Sequence, residues 1–196
     1  MTLLRDIEDR DLDALFEHWT DPESNWMAAF TAVDPHDRDA FDERWRRFRE
    51  SATITVRTIE ASGVVIGSIA SWDNDGKREV TYWLSREHWG KGLATRALAE
   101  FLAEAERMRP LYAATAHDNV ASQRVLEKCG LRRIGERRSF ANARRGGRRG
   151  ALPPGSVTAA DVTAAQLPAD TDGRSAAMSP ERLRREHQAK HRSRRC

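Results

Sequence analysis

Cysteine is scarce in this chain: Cys129 and Cys196 are its only two among 196 residues. Two isolated thiols make neither a disulfide framework nor a metal site, so no metal is expected and a reducing cytoplasm is the expected compartment. Aromatic residues stop at Phe140, and all six tryptophans lie at or before Trp89. The first residues, MTLLRDIEDRD, lack the basic start and apolar run of a secretory signal. The longest apolar stretch, Val64 to Trp72, is far too short for a membrane span, so no membrane partner is expected.

Charge of one sign is also missing from most of the chain. From Asn142 onward there are 12 Lys+Arg against 5 Asp+Glu, which leaves 21 against 25 in residues 1–141. The overall net charge of +3 therefore comes from the tail. An argument from net charge to nucleic acid reaches no further than that tail. The composition divides the chain into a domain over 1–141 and a basic tail over 142–196. The tail has no aromatics and too little apolar surface to offset its ordering entropy, so it is expected to be disordered.

What is present over 1–141 is an alternation of strand and helix patterns. TLLR reads as a first strand. Asp9 is placed to cap a helix whose Leu12, Leu15, Phe16 and Trp19 recur at three- and four-residue steps, ended by Asp21-Pro22. Residues 22–50 read as a second helical region with Phe41, Trp45 and Phe48 on one stripe. Arg44, Arg46, Arg47 and Arg49 surround that stripe and read as a solvated face. TITVRTIE and GVVIGSIASW are β-branched runs joined at Ala61-Ser62-Gly63, and EVTYWL is a further strand after the turn DNDGK. Gly92 to Arg107 is amphipathic, PLYAATA reads as a strand, Asn119 to Lys128 as a short helix ended by Gly130, and LRRIGERRSF as a last strand. The helix between strands 80–84 and 110–116 suits a crossover between roughly parallel neighbours. The fold class is mixed α/β.

The stretch EHWGKGLATRAL puts Gly90 and Gly92 around Lys91 at the start of a helix. First-turn N–H groups have no intrahelical partners, and the helix end carries roughly half a positive charge. Glycines let a bulky anion approach that backbone, and Lys91 adds charge. A structural turn is the competing reading, and the missing Gly-Lys-Ser/Thr ending removes support for ATP or GTP. Asn119 and Ser122 stand where an N-cap and the third helical residue would be, so capping alone accounts for them. Glu79 reads equally as a strand-edge carboxylate or as a base. His88 and His117 read as loop histidines.

YWLSREHWGKGLATRAL followed by HDNVASQRVLEKCGLRRIGE resembles the GNAT superfamily of acetyl-CoA-dependent N-acetyltransferases. The closer likeness is to the branch that acetylates N-terminal amines of ribosomal and other proteins. The resemblance covers about residues 2–141. It implies a mixed central sheet flanked by helices, and acetyl-CoA as co-substrate. The coenzyme's pyrophosphate would meet Trp89, Gly90, Lys91, Gly92, Leu93 and Ala94, with Thr95 as a further hydroxyl. The strand of Tyr82, Trp83 and Leu84 would part from that of Ala113 to Ala116 to admit the pantetheine arm. Asn119 would bond that arm, and Ser122 would lie near the thioester sulfur, able to protonate the leaving thiolate. Glu79 is the candidate base for the amine. Thr81 in place of a common glycine and Leu131 in place of a common phenylalanine are mild departures. The larger departure is ANARRGGRRGALPPGS, where the family's final strand is expected, so that strand is missing or altered here.

The resemblance implies an N-acetyltransferase acting on a primary amine, either a protein N-terminus or a small molecule such as an antibiotic or polyamine. A non-catalytic acyl-CoA sensor is one rival. A basic-tailed ribosome or nucleic-acid binder is the other, since the tail could neutralise phosphates. An unpaired sheet edge invites association, which brings a homodimer among the partners considered.

Overall fold

A computed structural model describes residues 2–144 and 156–164. Seven strands form one sheet in the order β1-β2-β3-β4-β5-β7-β6. β1 (Thr2–Arg5), β2 (Thr55–Ala61), β3 (Val64–Asn74) and β4 (Lys77–Leu84) are joined in antiparallel steps. β5 (Leu111–Ala116) runs parallel to β4, but only Arg78↔Leu111 and Glu79↔Tyr112 are paired. Past those two rungs the strands part, and an opening through the sheet results.

Helices cover both faces. α4 (Leu93–Glu100), continued by a π-helical stretch over Phe101–Ala105, and α5 (Val120–Lys128) lie on one side. Ala97, Leu98, Phe101 and Leu126 there join Ile66, Val80, Leu84 and Leu111 in the main core. Each fully buried Leu or Phe of this kind contributes roughly 1.5–3 kcal/mol. α1 (Leu12–Thr20), α2 (Pro22–Ala28) and α3 (Arg38–Glu50) are the other helices. On the opposite side Leu15, Phe41 and Trp45 pack over Val56 and Ala70. Residues 22–50 are thus two helices rather than one region, separated at Ala29, which has φ 64°. Among the described residues no helix is long and apolar enough to cross a membrane.

Two local expectations are corrected. Asp9 does not cap α1: it begins a 3-10 turn over Asp9–Asp11, and its carboxylate pairs with Arg49. Asp11 anchors that turn, buried at 1% exposure, bonded by both guanidinium N–H groups of Arg5 and by the Thr58 hydroxyl. The second correction concerns the tail. Ser156–Ala164 is a strand, β7, which lies antiparallel between β5 and β6 (Leu131–Phe140) and pairs with both. The segment has little apolarity, but Val157, Thr158, Val162 and Thr163 suit an extended chain, and flanking strands supply bonds on both sides. The rest of the tail, including Cys196 and the expectation of disorder there, lies outside the described residues apart from 142–144.

Those three residues are tied down. The Asn142 amide donates to the Thr31 carbonyl, Arg144 Nε donates to the Trp26 carbonyl, and the Arg144 guanidinium grips Asp118 at 2.8 and 3.0 Å. The loop after α2 is held by chain from beyond β6.

Candidate functional site

A cavity of about 670 Å³ runs through the opening between β4 and β5. One end is built by the turn that enters α4. Gly90 and Gly92 have φ of 72° and 74°, and a Cβ added at either would meet open space. Space therefore permits side chains there; the left-handed backbone is what selects glycine. Gly92 is the N-cap of α4 and supplies no side-chain acceptor, which leaves the first-turn N–H groups toward the cavity end. Trp89, Gly90, Gly92, Leu93, Ala94 and Thr95 all line the cavity. The Trp89 indole N–H donates to the Leu84 carbonyl at 3.0 Å and braces the turn against the end of β4. Lys91 is exposed and is not among the lining residues. Arg124 and Lys128, one turn apart on α5, add positive charge along this wall.

The middle of the cavity joins β4 to α5. The Asn119 carbonyl oxygen accepts the Ser122 N–H at 3.0 Å, and its amide donates to the Met27 carbonyl at 3.0 Å. Asn119 therefore caps α5 while lining the cavity, and it also ties α5 to α2. Ser122 Oγ shares a 2.8 Å hydrogen bond with the Tyr82 hydroxyl, and both residues line the cavity. Burial pushes the Tyr82 phenol up to about 12 despite the opposing bond from Ser122, so it keeps its proton at neutral pH. The Tyr82–Ser122 link was not legible in the sequence, because it joins residues 40 apart.

The far end is aromatic and lies across the sheet. Trp83, beside Tyr82 but facing the other way along the pleat, stacks on Trp19 with centroids 4.8 Å apart. Its indole N–H donates to the His18 carbonyl at 3.0 Å. Leu84 is buried and lines the wall between the ends. Trp45, Phe48, Trp72 and Phe30 complete this end together with Arg44. Arg44 is exposed, as the solvated face implies, and it also lines this end of the cavity, which helical spacing alone does not reveal. Burial lowers the His18 imidazole, which keeps it neutral near pH 7.

Glu79 is the last position of β4 that pairs with β5, opposite Tyr112, and it is not a lining residue. His88 does line the cavity, with Nδ1 bonded to the Ser85 hydroxyl at 2.6 Å. His117 sits at the surface 3.6 Å from Glu136 and lines nothing here. No cluster of metal-ligating side chains occurs among the described residues.

A family model for the acetyltransferase (GNAT) domain matches residues 2–132. An uncharacterised N-acetyltransferase, p20, of Bacillus licheniformis is 28% identical over 155 residues, 72% of this chain and 84% of its own. The structure is similar to Mycobacterium smegmatis RimJ in complex with CoA-disulfide, with a TM-score of 0.65 at 20% identity, over 95% of this chain and 89% of that one. It is also similar to the ribosomal-protein-alanine N-acetyltransferase of Brucella melitensis, with a TM-score of 0.62 at 23% identity, over 82% and 98% of the two chains. Likeness at these identities shows a shared fold.

Proposed function

The chain belongs to the GNAT acetyltransferase family, and from that premise we propose that it acetylates a small primary amine held at the aromatic end of the cavity. Acetyl-CoA-dependent N-acetyltransfer is the activity of this enzyme class; the acceptor and the residue roles are our reading. The carrying observation is one cavity that reaches from the Gly92 helix start to Trp19 and passes the Tyr82–Ser122 pair on the way.

The residues present fit the coenzyme. Left-handed Gly90 and Gly92 with uncapped N–H groups at α4 suit a pyrophosphate. Thr95, Arg124 and Lys128 add a hydroxyl and charge, and Lys91 acts from the rim. The unpaired backbone of β4 from Tyr82 to Leu84 faces the opening and can pair with an amide-bearing arm. Asn119 positions α5 and has an amide hydrogen left for the same arm.

Acetyl-CoA supplies the acetyl group as a thioester, whose C–S bond breaks as the new C–N bond forms. Ser122 donates its hydroxyl proton to the departing sulfur and takes one back from the water that receives the amine's proton, while Tyr82, which stays protonated, donates a hydrogen bond to Ser122 and fixes that hydroxyl's direction. The amine reacts as the free base. Because no Asp or Glu among the described residues lines the cavity, we assign its proton to water rather than to Glu79. Two isolated cysteines suit a reducing compartment, and we place the reaction in the cytoplasm.

The test is turnover with acetyl-CoA over a panel of small amines and peptide N-termini, read by mass spectrometry of the acetylated product. Ser122→Ala should lower kcat by about 10²-fold or more while acetyl-CoA affinity holds. Coenzyme binding with no acetylated product from any amine would leave the protein a sensor.

A further inference from the structure

The acceptor end has a chemical bias of its own. Five arginines stand on α3, and four are matched to carboxylates. Arg38 pairs with Asp13 and Asp42, Arg46 with Glu43 and Glu50, Arg47 with Glu43 and Arg49 with Asp9. Arg44 has no ion pair among the described residues, and it is the one that lines the cavity. Its guanidinium lies over the Trp19 ring, 5.4 Å from the centroid. Stacking occupies the flat face of a guanidinium and leaves the N–H edges free to bind oxygen. Although Arg44 as a residue is exposed, its charged end is crowded, and burial together with the like charge of Arg47 lowers its pKa.

A second unpaired donor stands in the same wall. Trp45 is 5% exposed, and its indole N–H is buried without a hydrogen-bond partner. A cation at the cavity wall with no carboxylate partner favours an acceptor oxygen there, and Arg44 is that cation. Among the described residues no carboxylate lines the cavity to attract a cationic tail. Trp19 and Trp83, stacked between Arg44 and the position of Tyr82 on β4, provide a flat apolar wall that suits a ring.

We propose that the acceptor is an aromatic primary amine carrying an anionic group, a carboxylate or phosphate, at the end remote from the amine, and that Arg44 selects it. This rests on the acetyltransfer reading above and names the substrate class for the same site. The ring lies against the Trp19–Trp83 wall, the anion meets Arg44, and the amine reaches through the sheet toward Ser122. A polyamine would bring a second cation against Arg44. A peptide N-terminus brings no ring with an anion fixed at its far end.

The experiment uses three amines that differ only at the far end of one ring: 4-(aminomethyl)benzoate, 4-(aminomethyl)benzamide and p-xylylenediamine. With the full chain and acetyl-CoA, the benzoate should show at least about tenfold higher kcat/KM than the benzamide, the scale of one charge-assisted bond, and the diamine should be poorest. Arg44→Gln should bring the benzoate-to-benzamide ratio toward parity, Arg44→Lys should keep most of it, and Arg44→Glu should move the preference to the diamine. Tryptophan fluorescence gives a second reading without acetyl-CoA: the benzoate should quench at lower concentration than the benzamide, and Arg44→Gln should abolish that difference. Equal use and equal quenching by the three amines would overturn the proposal, as would a ratio untouched by Arg44→Gln or faster acetylation of peptide N-termini. If no amine is acetylated yet the benzoate still quenches selectively through Arg44, the acetyltransfer reading fails and the anion preference stands.

Discussion

The two ends of the cavity are made in different ways. The end at α4 is assembled from one stretch of seven residues, Trp89 to Thr95, and its chemistry resides in backbone: two left-handed glycines and the N–H groups they uncover. The end at Trp19 is assembled from side chains of α1, α3, β3 and β4, with the loop after α2 as a further wall. Backbone chemistry tolerates few residue types at few positions. Side-chain chemistry depends on every element that carries it, and so it can diverge while the first end keeps its form.

Gly67 offers the way to break both ends at once. It pairs with Leu84 across β3 and β4, and a Cβ there would stand 2.0 Å from the Trp83 carbonyl oxygen. Since the obstacle is backbone, Gly67→Ala must displace β4 between the stacked Trp83 and the brace at Leu84. A loss of about 3 kcal/mol or more in urea denaturation is expected, at the upper end of overpacking costs. An unchanged midpoint would mean that β4 shifts freely and that neither end depends on its position.

A smaller change separates the ends. Gly92→Asp forces a side chain onto a left-handed backbone and puts a negative charge at the helix start. Acetyl-CoA affinity, by calorimetry, should weaken by about 2 kcal/mol, the scale of mispairing buried polar groups. Tryptophan quenching by 4-(aminomethyl)benzoate should persist. If acceptor quenching fell with coenzyme affinity, the two ends would not be separable.

The smallest effect is expected from acid, acting where β4 and β5 still pair. Glu106 is 2% exposed and takes bonds from the Arg78 guanidinium, the Ser71 hydroxyl and the Met108 N–H. Burial alone would raise its carboxyl, but those bonds outweigh it and hold the group below its ordinary value. A carboxyl depressed in the folded state stabilises fully above its unfolded pKa, and that contribution is lost as pH falls through the folded value. Denaturation midpoints should therefore be flat from neutral pH to about 5 and decline as pH falls below about 4. A stability that rose on acidification over that range would contradict the assignment.

The same division explains what the sequence made legible. Strand alternation in β2 to β4, the helix stripes, the glycine turn and the Asn119 cap are local patterns, and each is found where the residues place it. The Tyr82–Ser122 bond, the Arg144 grip on Asp118 and the standing of Arg44 are tertiary, and no spacing encodes them. β7 escaped notice because a strand was sought by apolarity, whereas an interior strand flanked on both sides is stabilised through its backbone. Glu79 reads equally as a base or as a strand-edge carboxylate, and its place on the last rung shared by β4 and β5 is a tertiary fact that the residue pattern does not carry.

Among the described residues β7 is the last strand to be synthesised, yet it fills an interior place in the sheet, and β6 pairs there with β7 alone. Until β7 is made, β5 and β6 present two open edges, while α5 between them is already held to α2 by Asn119 and to β4 by Ser122. With synthesis at about 5–20 residues per second, that interval lasts on the order of a second. β6, by contrast, joins the sheet only when β7 slides in. The nascent chain thus passes through a brief period in which its exposed edges need protection from other strands.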